Sequence, residues 1–414
     1  MRFRIHRGAS EIGGNCVEIE AQGRTIIIDL GLPLTAEFAS ADLLPPIPGL
    51  KDGGKDAPLA VILSHSHGDH MGLLGVANPK VPVFMGLHTR VIIEAASPFM
   101  RTLTVPGLIR TFADRLTFQV GPFSITPYLT DHSAFDSYGF LVEAEGRRLF
   151  YSGDFRGHGR KAKLVTKLLQ EPPRPVHTLL LEGTTLSRLP DGSSPLSEHD
   201  LENQIREDLL QSRGLVLACF SPQNIDRFVT FYRATRRAGR RFIGDAYLAN
   251  ILRSLNLPSL PVPSAVDLRI YLGIRQKMQI VRQRAFKLIE PLRTTRIYPE
   301  EICESPASWV MLFRDSMMAD IDRMETLRET RLIYSMWSGY LDRDSSRLMT
   351  WCRNKDIPLI HRHTSGHAAP TMLRRFAKAL APEHIVPIHT AVPHLYIEHF
   401  ESVKLCADGE WHGV

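Results

Sequence analysis

Short apolar runs separated by turn-forming residues dominate the first third of the chain. Each run has about five residues and is bounded by Gly, Pro, Asn or Asp, a pattern typical of sheet strands. The runs lie at 16–20, 25–29, 59–63, 123–129 and 139–143. A helix-length stretch at 87–96 lies between them. The pattern predicts a mixed α/β fold with much antiparallel sheet rather than a regular βαβ series.

The pattern changes after the Pro- and Gly-rich stretch at 190–195, which indicates a domain boundary. Apolar periodicity then predicts helices at 198–212, 226–238 and 273–289 and strands at 215–220 and 331–336. The end of the chain returns to the first pattern, with a strand at 357–360, a helix at 369–380 and a strand at 385–388. We therefore expect one domain, residues 1–190 and 351–414, interrupted by a second domain at 191–350.

Composition narrows the class of protein. Apolar residues make up 43% and charged residues 23% of the 414 residues, ordinary values for a globular enzyme. No run of about 18 apolar residues could span a bilayer, and no apolar signal segment follows the charged N-terminus. The five cysteines lie far apart without a CxxC pair, which is typical of free thiols in a reducing compartment. We predict a cytoplasmic protein without a membrane partner.

The sharpest chemical motif is His65-Ser66-His67-Gly68-Asp69-His70, directly after an apolar strand. Histidines two residues apart on an extended strand end point to the same side, and Gly68 permits a tight turn that brings the next two side chains back. Imidazole and carboxylate ligands without thiolate favour Zn²⁺ or Mn²⁺, and two such ions about 3.5 to 4 Å apart could hold a phosphoryl group. The alternative is a surface turn with solvated histidines.

At this point the sequence resembles the metallo-β-lactamase fold, an αββα sandwich. Asp29 matches the acid that supports the metal-binding loop, and His132, Asp154 and His389 match the later metal-binding motifs. The resemblance implies two divalent ions, with Zn²⁺ expected and Mn²⁺ as the alternative. By this resemblance, the first ion is held by His65, His67, His132 and Asp154. The second is held by Asp69, His70, Asp154 and His389.

Three further motifs resemble the β-CASP nucleases, a subgroup with an α/β domain inserted in this fold. Glu182 looks like motif A and His367 like motif B, while His389 doubles as motif C. The stretches 11–15 and 220–227 are similar to the ribonuclease J branch. The resemblance implies an RNA phosphodiesterase, acting as an exonuclease, an endonuclease or both, by attack of a metal-activated hydroxide.

The same resemblance suggests roles for the residues around the metals. Asp69, Glu182 and His367 are the candidate catalytic residues, and Ser365 with His367 are the candidate donors to substrate phosphate. Glu182 would orient a histidine or pass a proton. The structural alternatives are a turn hydroxyl for Ser365 and a buried ion-pair partner for Glu182.

Histidines outside these motifs carry weaker expectations. His158 lies in a basic loop just after Asp154 and could touch a phosphate, although a solvated loop is equally compatible. His361 and His363 precede motif B, and we expect both to have packing roles.

The net charge of +6 is unevenly distributed along the chain. Residues 200–300 hold 17 Arg and Lys against nine Asp and Glu, a surplus of eight. The basic clusters are Arg233, Arg236, Arg237, Arg240 and Arg241, and then Arg275, Lys277, Arg282, Arg284 and Lys287. Arginine suits phosphate contacts, so we expect single-stranded RNA in a cleft between the domains. The alternative for each cluster is a solvated helix face.

Other functions stay open at this point. The same fold could hydrolyse DNA, a small phosphodiester or another ester, and an inert nucleic-acid-binding relative is a third possibility. Motif A continues as Gly183-Thr184-Thr185 rather than Ser-Thr-Tyr, which affects substrate contacts more than metal ligands. The sequence ends soon after His389, so we expect no additional C-terminal domain of the kind found in ribonuclease J. A homo-oligomer stays open.

Overall fold

The computed structural model describes residues 1–100, 103–190, 192–324, 328–344 and 347–414, with only the backbone for 342–344. Asp191, at the predicted domain boundary, lies outside the described residues. The strands are β1 (Arg2–Arg7), β2 (Cys16–Ala21), β3 (Arg24–Ile28), β4 (Val61–Ile62), β5 (Val83–Gly86), β6 (Ile109–Phe112), β7 (Phe118–Val120), β8 (Phe123–Thr130), β9 (Ser137–Ala144), β10 (Arg147–Tyr151), β11 (Thr178–Glu182), β12 (Val216–Cys219), β13 (Arg241–Asp245), β14 (Leu268–Tyr271), β15 (Trp309–Phe313), β16 (Arg331–Tyr334), β17 (Leu359–His361), β18 (His384–Ile388) and β19 (Trp411–Gly413). The helices are α1 (Gly68–Met71), α2 (Leu87–Ala96), α3 (Ala162–Gln170), α4 (Glu198–Leu210), α5 (Ile225–Arg237), α6 (Ala246–Leu255), α7 (Ile274–Arg282), α8 (Pro299–Glu304), α9 (Met318–Asp322), α10 (Gly339–Asp344), α11 (Arg347–Asn354), α12 (Pro370–Leu380) and α13 (Tyr396–His399).

The chain forms two compact units, one of residues 1–195 and 366–414 and the other of residues 196–365. The first unit contains two sheets, in the orders β19-β1-β2-β3-β4-β5-β6 and β18-β11-β10-β9-β8-β7. Alternation along the strands separates their faces: Ile26 and Ile28 of β3 lie in the core between the sheets, and Ile27 lies in the outer core with Ile93 of α2.

Helices α3 and α12 cover the outer face of the second sheet. Leu168 of α3 and Phe376 of α12 pack with Phe150 of β10, whose neighbours Leu149 and Tyr151 face the inner core. The first unit is thus an αββα sandwich, and the predicted mixed α/β fold class is confirmed.

The second unit is built on six parallel strands in the order β14-β13-β15-β12-β16-β17. Strands β12 and β15 are buried along their whole length, as expected for a parallel sheet covered on both faces. Strand β17 pairs with β16, and therefore residues 351–365, expected in the first domain, belong to this unit.

The helix predicted at 273–289 is shorter than expected. Helix α7 ends at Arg282, and Arg284 adopts a left-handed conformation with φ of 52°. The amide of Ala285 then donates to the carbonyl of Ile280, and short 3₁₀ turns follow. A left-handed residue cannot continue an α-helix, so the periodic sequence stops being helical there.

None of the helices described here has the length and apolar character needed to cross a bilayer.

Candidate metal centre

The predicted metal ligands all lie in the first unit, most of them just after the carboxyl end of a strand. His65 follows β4, His132 follows β8, Asp154 follows β10 and His389 follows β18. Strands β18, β11 and β10 are parallel neighbours, so their carboxyl ends meet at one edge of the sandwich. The one-turn helix α1 carries Asp69 and His70 back toward that edge.

Three histidines converge to form the first ligand group, His65, His67 and His132. The Nδ1 atom of His67 lies 3.1 Å from His65 Nε2 and 3.2 Å from His132 Nε2. Asp154 Oδ2 is 3.8 Å from His65 Nε2 and 3.9 Å from His132 Nε2. These separations match those between ligands that share one tetrahedral ion about 2 Å from each atom.

The second ligand group consists of Asp69, His70, Asp154 and His389. His70 Nε2 lies 3.1 Å from Asp154 Oδ2 and 3.8 Å from Asp69 Oδ2. His389 Nε2 is 3.3 Å from Asp69 Oδ2, and its Nδ1 is 3.8 Å from Asp154 Oδ1. Asp154 Oδ2 therefore lies within 4 Å of ring nitrogens from both groups.

The imidazoles of His65 and His70 are oriented from behind by polar groups. His70 Nδ1 bonds Asp29 Oδ2 at 2.8 Å, and the same oxygen accepts from the hydroxyls of Ser64 at 2.8 Å and Tyr151 at 2.7 Å. Ser64 Oγ also lies 3.0 Å from His65 Nδ1. These bonds leave the Nε2 atoms directed into the site, as metal-binding histidines require. The orienting role predicted for Asp29 agrees with this geometry.

The Nδ1 atoms of two further candidate ligands, His132 and His389, are also held by polar groups. His132 Nδ1 lies 2.6 Å from the carbonyl oxygen of Gly366, and His389 Nδ1 lies 2.7 Å from Thr184 Oγ1. A Cβ at Gly366 would lie 2.9 Å from His132 Cε1, so only glycine allows this approach. Thr184 is the one residue after Glu182 that agrees with the Ser-Thr-Tyr pattern, and it contacts a candidate ligand.

Two residues of the site have strained backbones. Asp29 has φ of 58° and His389 has φ of 52°, conformations that L-residues rarely adopt. Each comes directly after its strand, where the left-handed turn redirects its side chain from the sheet toward the site. Strain of this kind is concentrated at functional sites.

Burial sets the protonation states that a metal requires. Burial lowers the pKa values of His65, His67 and His132, which keeps these imidazoles neutral. Burial raises the pKa of Asp154, but His389 and the other surrounding histidines outweigh it and hold that pKa well below its ordinary value. Asp154 Oδ1 is also buried without a hydrogen-bond partner among the described residues. The donor set therefore fits divalent ions.

Glu182 and His367 lie beside the ligands. Glu182, the last residue of β11, is buried, and its Oε2 is 3.2 Å from His367 Nδ1. The Glu182 carboxylate also accepts from the amides of Phe155 and Ala368. Burial lowers the pKa of His367, but the charges of Glu182 and Asp154 outweigh it and raise that pKa. His367 thus lies beside the ligand groups with a raised pKa, which favours its protonated form.

Two other histidines and Ser365 are not among the candidate metal ligands. His361 Nε2 lies 3.0 Å from the carbonyl of Met336, and His363 Nδ1 lies 3.3 Å from Arg227, in line with packing roles. Ser365 ends the second unit, so its contact with substrate stays a prediction.

Sequence reasoning missed the outer partners Ser64, Tyr151, Thr184 and Gly366. Their only signal was adjacency to the motifs, because a hydroxyl or a backbone carbonyl has no diagnostic spacing of its own.

Comparison with known proteins identifies relatives over most of the chain. Residues 24–195 match the family model described as a beta-lactamase superfamily domain. Ribonuclease J of Mycoplasma genitalium is 29% identical over 412 residues, covering 92% of this chain and 66% of that protein. Ribonuclease J of Sinorhizobium meliloti is 23% identical over 417 residues, covering 94% of this chain and 68% of that protein.

The chain spans about two thirds of the length of these relatives. A crystal structure of a protein of unknown function from Enterococcus faecalis has the same fold, with a TM-score of 0.78 and 20% identity over 99% of both chains. Residues 24–195 are thus similar to a beta-lactamase superfamily domain, and most of the chain is similar to ribonucleases J.

Proposed function

We propose that the chain is a metal-dependent phosphodiesterase that cleaves single-stranded RNA in the cytoplasm, as an exonuclease, an endonuclease or both. One observation carries the proposal: three histidines form one ligand group, Asp69, His70, Asp154 and His389 form a second, and four of the imidazoles are oriented from behind. The name ribonuclease J on relatives that match over most of the chain supports RNA as the substrate.

The proposed cofactors are two divalent ions, Zn²⁺ or Mn²⁺. His65, His67 and His132 would hold one ion, Asp69, His70 and His389 the other, and Asp154 both. Such a pair would supply an activated water and a positive clamp for the phosphoryl oxygens.

The remaining residues have roles that follow from their positions. His367, one-fifth exposed and paired with Glu182, can donate a hydrogen bond or a proton to a phosphate oxygen at the site. Glu182 holds the His367 ring through Nδ1 and so fixes the orientation of the imidazole. Because Glu182 also accepts from the backbone amides of Phe155, Thr184 and Ala368, its carboxylate keeps a fixed orientation while His367 exchanges a proton.

The test is cleavage of end-labelled, 5′-monophosphorylated RNA and of matched single-stranded DNA, each with Zn²⁺ or Mn²⁺. We expect RNA cleavage that is abolished in His67→Ala, because His67 Nδ1 joins the first ligand group. His384→Ala is the matched control, since His384 is an exposed histidine of the same unit.

The products separate the remaining possibilities. Mononucleotides released from one end indicate exonuclease action, and internal fragments indicate endonuclease action. Cleavage of DNA alone would overturn the RNA assignment. RNA binding without bound metal and without cleavage would overturn the enzyme assignment.

A further inference from the structure

The two basic clusters of the second unit differ in how their charges are used. In the first cluster, Arg236 pairs with Asp267 and Arg237 with Glu202. Arg240 donates to backbone carbonyls, and the Arg241 guanidinium lies 3.9 Å from the centre of the Trp309 ring. Most of this cluster therefore serves the fold of its own unit.

The second cluster lies on α7 and the 3₁₀ turns after it, and its charges are free. Its exposed members are Arg275, Lys277, Arg282, Arg284, Lys287 and Arg293. Within the described part of the chain, none of these six forms an ion pair. Glu290 is the only acidic residue between positions 274 and 298. The segment is a strip of uncompensated positive charge.

Apolar side chains face solvent along the same strip. At about 100° per residue, Ile274, Met278 and Val281 fall on one stripe of α7, and the buried Ile280 points away from that stripe. Met278 is 67% exposed and Val281 60% exposed. The stripe has Lys277 on one side and Arg275 and Arg282 on the other. A helix that is apolar on its solvent side indicates a binding surface.

Aromatic rings extend the strip beyond the helix. Phe286 is 52% exposed and stands between the cations Arg284 and Lys287 in sequence. Tyr298 is also exposed, with the Arg296 guanidinium 5.1 Å from the centre of its ring. Cations interleaved with exposed rings are typical of surfaces that bind single-stranded nucleic acid, because phosphates pair with the cations and unstacked bases lie on the rings.

We infer that the strip from Arg275 to Tyr298 is a second binding surface for single-stranded RNA, separate from the residues of the metal centre. The inference rests on the proposed function for the choice of RNA as the polyanion. A second copy of the chain fits poorly, because six like charges would face six others. An anionic lipid surface also engages cations beside apolar and aromatic side chains, so the vesicle measurement below separates that occupant from RNA.

The test is equilibrium binding of the full chain to a fluorescent single-stranded RNA whose phosphorothioate linkages slow hydrolysis. We compare the wild type with the triple variant Lys277→Glu, Arg282→Glu, Arg284→Glu. The matched control is Lys51→Glu, Lys55→Glu, Lys80→Glu, which changes the net charge equally at exposed lysines of the first unit. Phe286→Ala is paired with Phe38→Ala, another exposed phenylalanine.

We expect the first triple variant to flatten the dependence of log Kd on log salt by about 2, since each phosphate contact of a single strand contributes about 0.7. We expect Phe286→Ala to weaken binding about fivefold or more, and Phe38→Ala to leave it unchanged. Binding is measured without cleavage, so a chain that does not cleave RNA can still show binding at this surface. A failure of the proposed function and a failure of this inference are therefore distinguishable.

Three outcomes would overturn the inference. One is an equal effect of the two triple variants on RNA binding, which would mean that net charge alone acts. Another is unchanged RNA affinity with lost binding to phosphatidylglycerol vesicles, which would assign the surface to lipid. The third is unchanged RNA affinity with lost self-association in sedimentation, which would assign it to a second copy.

Discussion

Tyr151→Phe removes one oxygen atom from behind the candidate metal centre. The Tyr151 hydroxyl donates to Asp29 Oδ2 at 2.7 Å, and that oxygen also binds His70 Nδ1 at 2.8 Å. Burial and the charge of Asp29 raise the pKa of Tyr151 well above its ordinary value, so the hydroxyl stays protonated and donates. Its own oxygen accepts from the Asn15 side-chain amide at 3.2 Å.

The expected magnitude has two parts. Loss of a buried hydrogen bond to a charged group lowers the free energy of unfolding by about 1.5–3 kcal/mol. Loss of a residue that orients a ligand's partner typically costs about 10- to 100-fold in metal affinity. The second part arises because the Asp29 carboxylate, with one donor fewer, no longer fixes the ring of His70.

Tyr138→Phe is a matched control in the same unit. Its hydroxyl is also buried and donates to a carboxylate, Asp136 Oδ1, at 3.0 Å. Asp136 binds the Thr89 amide and hydroxyl rather than a candidate ligand. Both variants should therefore lose similar stability in urea unfolding, while only Tyr151→Phe should weaken Zn²⁺ binding in a chelator competition. Equal metal affinities in the two variants would refute the reasoning, whatever the stabilities.

Three further predictions concern other buried polar groups. Glu182→Gln should lower kcat by about 10²- to 10⁴-fold with metal content retained, because His367 loses the carboxylate that holds it charged; unchanged kcat would contradict this. Arg227→Met should lower the free energy of unfolding by about 3–5 kcal/mol because it leaves Glu198 buried and unpaired, and adding Glu198→Leu should recover much of the loss. Burial and the Arg227 cation lower the pKa of His363 to about 3, so below pH 6.5 the unfolded chain binds a proton that the folded chain does not. The free energy of unfolding should therefore fall as the pH drops below 6.5, by up to about 1.4 kcal/mol per pH unit. His363→Asn should flatten this slope in urea unfolding.

Local patterns in the sequence were enough to place four of the candidate ligands. His65, His67, Asp69 and His70 lie on one strand end and one helical turn, so their spacing alone brings them together. His132, Asp154 and His389 could not be placed by spacing, because their meeting depends on strand order in a sheet. Resemblance to a family supplied that information.

The fold shows the same division between local and non-local information. Alternation predicted β2 and β3 within a residue or two, because each face of those strands meets a different core. The end of α7 and the membership of β17 were predicted wrongly. The place of β17 depends on its pairing with β16, whereas α7 ends in a local left-handed turn at Arg284 that the apolar periodicity does not indicate.

The strained residues show what determines the shape of the site. A left-handed conformation at a non-glycine residue costs about 1–3 kcal/mol and persists only where its surroundings impose it. At Asp29 the amide donates to the carbonyl of Ile62 at 3.0 Å, and at His389 the amide donates to the carbonyl of Gly8 at 2.7 Å. Both bonds tie the residue to neighbouring backbone rather than to another ligand. The packed sandwich itself therefore holds these two side chains in place, so a metal ion would meet a site that the protein has already arranged.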